Sequence, residues 1–167
     1  MVEMAIRDVV DGEGTKGLEA AFEVDVPPDE LLCMLWAPIH FRRLFPDIED
    51  ARVIKEEAES LEVAYRVDAV IRKVSYVVRR TRDQAARTIT WREIGGDLRR
   101  VRGGWRVEPG DRAGASRVTY QAFVDVGRFV PTALVRDAGR RKLGEMVERV
   151  RNVAVAIYAA AARGVDP

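Results

Sequence analysis

The chain has one cysteine, Cys33, and one histidine, His40. A single thiol builds no intrachain disulfide framework. One thiol and one imidazole also fall short of the ligands a Cys/His zinc site needs, so no metal and no cofactor are expected. Long apolar runs are missing, and nothing approaches the about 18 consecutive apolar residues that cross a membrane. The first 16 residues carry acids throughout and no apolar core, so they do not read as a secretory signal, and cytoplasmic residence is the expectation. Charge of one sign is absent too. With 28 basic and 27 acidic side chains the formal net charge is +1, which gives no global field for gathering nucleic acid. Internal repeats and linkers are lacking. Gly95-Gly96 and Gly103-Gly104 are no phosphate loops, because no helix with the required lysine or dinucleotide spacing follows them.

What is present suits one globular domain: 167 residues, 47% hydrophobic and 33% charged. Residues 1–16, with Asp11-Gly12-Glu13-Gly14, read as a flexible lead-in to a single domain over 17–163. Leu18, Ala20, Phe22, Val24 and Val26 alternate with acids as in a half-buried strand, which Pro27-Pro28-Asp29 stops. A short helix with Leu31, Leu32, Leu35 and Trp36 follows. A second, with Ile39, Phe41, Leu44 and Phe45, closes at Pro46. From Ile48 to Val126 the pattern is of six short antiparallel strands, with Leu61, Val63, Tyr65, Val67 and Ala69 the clearest alternation. Beyond Pro131, apolar residues from Leu134 to Ile157 recur at three- and four-residue steps, predicting one long amphipathic helix ending near Gly164.

The expected architecture is therefore α+β: a seven-stranded curved antiparallel sheet, two short helices after the first strand and one long C-terminal helix. A helix about 10–12 Å wide does not fill the concave side of so wide a sheet. A gap lined by inward-facing residues should remain, and such apolar concavities are where small ligands bind.

Those residues also resemble a family. The strand leading into Pro27-Pro28-Asp29-Glu30, then Phe45-Pro46-Asp47, Gly96-Asp97-Leu98, Gly103-Gly104-Trp105 and Phe129-Val130-Pro131 look like the Bet v 1/START-like helix-grip superfamily. Within it they resemble the polyketide cyclase/dehydrase group that includes the coenzyme Q-binding proteins. The resemblance spans roughly residues 17–160, and its motifs mark fold more than chemistry. It implies a cavity for a lipid, quinone or polyketide-like molecule, used either by a non-enzymatic carrier or by a polyketide aromatase/cyclase or dehydratase. A third reading is a protein-interaction module with a filled interior.

Tyr65, Tyr76, Trp91, Trp105 and Tyr120 fall on inward strand faces, where rings with polar tips either orient a ligand or fill the core. Phe41 and Phe45 should sit at the cavity mouth, as a lid or as a cap on the core. Met146 and Val150 are roof candidates on the long helix. Arg80 shares a face with Val74, Tyr76 and Val78, so it either points inward to hold a ligand oxygen or ends its strand in solvent. Asp68, Arg72 and Ser75 are further polar residues near the central strands, without a matching catalytic set. His40 has no partner in sequence and reads as a surface or capping residue, and Cys33 as a buried thiol. Arg136, Arg140, Arg141 and Lys142 form a solvated helix face or a surface for transient contact with an anionic membrane.

Overall fold

The computed structural model describes residues 4–68, 72–127 and 131–164. Among them the chain forms β1 (Ala5–Val10), β2 (Lys16–Val24), α1 (Pro28–Trp36), a 3-10 turn (Pro38–His40) and α2 (Phe41–Leu44). There follow β3 (Ile48–Glu57), β4 (Ser60–Asp68), β5 (Lys73–Asp83), β6 (Thr88–Gly96), β7 (Arg100–Pro109), β8 (Ser116–Asp125) and α3 (Thr132–Ala162). The strands make one antiparallel sheet in the order β1-β2-β8-β7-β6-β5-β4-β3. This is the helix-grip architecture expected, with one correction: the sheet has eight strands, not seven.

The extra strand comes from the segment read as a lead-in. Ala5–Val10 pairs with Ala21–Lys16, and Asp11-Gly12-Glu13-Gly14 is its hairpin turn. The Asp11 carboxylate accepts the backbone N–H groups of Glu13 at 2.9 Å and Thr15 at 2.8 Å, while Gly14 takes a φ of +84°. Both faces of β1 stay largely in contact with water, so no apolar alternation announces it. Ala69, Phe129 and Val130 lie outside the described residues.

Sheet curvature has local causes. The β3–β4 ladder slips register at Ile48/Asp50 and Val53/Lys55, and the β5–β6 ladder at Val77/Val78, each a bulge that bends its strand. The main core gathers at one end of the concave face. There Ala20, Phe22 and Val24 of β2, Leu31, Leu32 and Leu35 of α1, and Leu143, Val147, Val150, Ala154 and Ile157 of α3 pack together. In α1 the inward set at 31, 32, 34 and 35 turns position 33 outward. Cys33 is thus exposed rather than buried.

Candidate functional site

The other end of the concave face is not filled. A hollow of about 1320 Å³, mouth included, lies between the sheet and the first half of α3. It exceeds the roughly 300–1,000 Å³ usual for small-molecule sites. Its mouth is ringed by the β1–β2 turn, the α2–β3 connection, the start of β7 and the beginning of α3.

Strand register brings the aromatic residues together. Tyr65 faces Tyr76 across β4–β5, Arg80 faces Trp91 across β5–β6, and Trp105 faces Tyr120 across β7–β8. Ring centroids are 5.8 Å apart for Tyr65 and Tyr76, 4.5 Å for Trp105 and Tyr120, and 5.7 Å for Trp91 and Tyr120. Phe41 and Phe45 bridge the two groups, Phe41 lying 5.9 Å from Tyr65 and Phe45 lying 6.0 Å from Trp105. The rings form one continuous arc.

Of the residues expected to line a cavity, Phe45, Tyr65, Tyr76, Arg80, Trp91, Trp105, Tyr120 and Met146 do line it. Phe41 and Val150 do not. Phe41 is buried in a second cluster with Leu61 and Val63, and Val150 is buried in the main core. Val67, Val74, Val78, Ala122, Val124 and Leu143 complete the apolar wall. For the strand residues among these, parity with the aromatics was readable in sequence, whereas Leu143 of α3 belongs also to the main core.

Arg80 is buried at 3% exposure. Its Nη2 donates to Leu35 O at 2.8 Å and its Nη1 to Trp36 O at 3.0 Å, so it caps the C-terminal end of α1, where the helix dipole is negative. The guanidinium also sits 4.6 Å from the Phe41 ring centre and 5.2 Å from that of Trp36. Burial pulls its pKa down from the usual arginine value, and nearby Tyr65 partly opposes this. An arginine remains charged under such a shift. Among the described residues no carboxylate pairs with it, so the inner wall carries a positive charge balanced only by dipoles and ring faces.

The three tyrosines lie deep yet keep surface open to the hollow. Burial raises the pKa of Tyr65, Tyr76 and Tyr120, so all three are neutral hydroxyl donors near neutral pH. The lining carboxylates are Asp8, within the edge strand β1, and Glu13, Asp47, Asp68 and Asp125, in strand ends and loops around the mouth. Arg72 is exposed on the rim, and exposed Ser75 uses its backbone N–H to hold the Asp97 carboxylate at 2.9 Å. His40 ends the 3-10 turn just before α2, outside the lining, and gives no side-chain cap. Burial, then the charge of Arg43, lowers its pKa. Three members of the basic helix face are paired: Arg136 and Arg140 with Asp8, and Lys142 with Asp47. Among the described residues no helix is long and apolar enough to cross a membrane.

The same architecture recurs in solved structures. A protein from Thermus thermophilus superposes with a TM-score of 0.72 at 17% identity, covering 87% of this chain and 98% of that one. A START superfamily protein from Mycobacterium smegmatis gives 0.71 at 11% identity over 92% and 98%. The Zhui aromatase/cyclase of Streptomyces sp. R1128 gives 0.61 at 23% identity over 95% of each chain. These likenesses speak for the fold. No curated protein matches the sequence. The model of one family, polyketide cyclase/dehydrase and lipid transport, matches residues 24–151, and the chain belongs to that family.

Proposed function

We propose that the protein is a non-enzymatic carrier or sensor that holds a hydrophobic small molecule in the hollow beneath α3. One observation carries this reading: an unfilled space walled by aliphatic and aromatic side chains, whose inner polar groups are neutral tyrosines and one buried arginine. Affinity would come from apolar burial, at roughly 0.8 kcal/mol per methylene. Phe45, Trp91, Trp105 and Met146 would supply contact area. Tyr65, Tyr76 and Tyr120 would orient ligand oxygens, and Arg80 would favour a ligand with a carboxylate or carbonyl at its inner end.

The test is extraction of the molecules that co-purify with the protein. Replacing Tyr65 and Tyr120 together with leucine should keep the fold and change which molecules are recovered. An identical extract from wild type and double variant would refute the reading.

A second reading, a polyketide aromatase/cyclase, draws on Arg80 lying beside Tyr65 and opposite Trp91, and on the likeness to the Zhui aromatase/cyclase. It requires acid–base groups within hydrogen-bond reach of one another inside the hollow. The carboxylates stand at the mouth instead, which favours binding over proton transfer. Cyclised product from a polyketide mimic, lost on Arg80→Met, would reverse the order of the two readings.

A further inference from the structure

The inner wall of the hollow offers donors and almost nothing else. Its polar groups are the hydroxyls of Tyr65, Tyr76 and Tyr120, the indole N–H groups of Trp91 and Trp105, and the Arg80 guanidinium. Only the hydroxyls can also accept. Among the described residues no protein group is hydrogen-bonded to these hydroxyls or indoles. The side-chain atoms that are buried without a partner belong to other residues, His40, Arg102, Arg140 and Arg151. The wall's donors are therefore open to the hollow.

Arg80 holds the one full charge on that wall. Of its five N–H groups two are spent, on Leu35 O at 2.8 Å and Trp36 O at 3.0 Å. The other three have no acceptor among the described residues. Those two bonds fix the guanidinium in place, so it need not be ordered when a ligand arrives. The carboxylates at the mouth do not balance it. Asp8 lies 3.1 Å from Arg140, Asp47 lies 3.2 Å from Lys142, and Glu13 meets Arg100 and Arg102. These acids are half-exposed and answered by cations of their own.

Filling the hollow changes the terms for Arg80. A ligand displaces the water that hydrates the guanidinium. A neutral apolar ligand would leave a cation enclosed without a partner, which is costly. A ligand that brings one negative charge cancels it and gains charge-assisted bonds. The planar fork matches the edge of a carboxylate, and one charge balances one charge. A phosphate monoester would bring nearly two.

We infer that Arg80 is the seat of a ligand carboxylate, so that the hollow selects monocarboxylate amphiphiles and holds them with the charged head inward. The inference rests on the proposed ligand-binding function and names the class and the orientation of the ligand.

The experiment compares pyrenebutyrate, pyrenebutanol and pyrenebutylamine, which share one apolar body and differ in the head. Each is titrated into the delipidated protein and followed by pyrene fluorescence. Wild type should bind the acid roughly tenfold or more tighter than the alcohol, with the amine weakest. In Arg80→Met the acid and the alcohol should bind alike, and Arg80→Lys should restore part of the preference. Should Arg80→Met not fold, Arg80→Gln takes its place, because its amide still donates to one carbonyl of α1. Equal binding of acid and alcohol by wild type would overturn the seat and leave the binding function standing. A preference for the acid that survives the loss of the Arg80 charge would place the carboxylate elsewhere and overturn it too. No saturable binding of any of the probes would overturn both the seat and the binding function.

Discussion

Trp91 packs closely against the backbone at Gly103. A Cβ at position 103 would stand 2.6 Å from Trp91 Cζ2 and 2.2 Å from the carbonyl oxygen of Gln121. The two residues face each other in register across β6–β7, so the bare glycine lets the indole lie along the wall of the hollow.

Gly103→Ala should therefore be costly although it adds one carbon. One contact is with backbone and the other with a large ring, so neither moves freely. Overpacking of this kind destabilises by about 1–3 kcal/mol. Urea unfolding measures it, and a shift in tryptophan emission should accompany it. An alanine variant as stable as wild type would show that Trp91 is free to move aside.

For Arg80 two opposing terms must be compared. Burying a cation costs free energy, and removing it recovers that cost. Against this stand two charge-assisted bonds to the last carbonyls of α1, which Arg80→Met would leave unpaired. Unpaired buried acceptors cost about 1–3 kcal/mol, so a net loss of that order is expected. Arg80→Lys should recover only part of it, since one ammonium does not reproduce the fork. A neutral or stabilising Arg80→Met in thermal unfolding would mean that desolvation dominates.

Alkaline pH offers a test of the tyrosines. The folded pKa of Tyr65, Tyr76 and Tyr120 is raised by burial, above the unfolded value of about 10. Their stabilising contribution is then fully present below about pH 10 and is lost as pH rises towards the folded pKa, because the unfolded chain gives up these protons first. Melting temperature should fall steeply above that point. In the variant with all three changed to phenylalanine the fall should be shallower. Identical pH profiles would contradict the placement of the three rings.

The fold was legible where one face of an element is buried and the other wet. The period-two pattern of Leu61, Val63 and Tyr65, and the helical spacing from Leu143 to Ile157, follow from that contrast. β1 lacked it, and its turn passed for a loose segment. An inward direction of Arg80 was readable only as one of two alternatives from its parity with Val74 and Val78, the other being a strand end in solvent. Its partners were not, because Leu35 and Trp36 lie 45 and 44 residues away and meet it only where α1 ends. Phe41 and Phe45 sit one helical turn apart, yet only Phe45 reaches the hollow. That difference depends on how α2 docks on β4, which no local pattern encodes.

A carrier or sensor requires that the space beneath α3 take up an apolar molecule. Ala122 lines that space and faces Gly103 across β7–β8, so Ala122→Trp would fill it from the wall. Equilibrium titration of the delipidated protein with a hydrophobic fluorophore tests the claim directly. Saturable binding by wild type, weakened roughly tenfold or more in the filled variant while its melting temperature holds, is the predicted result. Equal binding by both proteins would place the fluorophore elsewhere and contradict it.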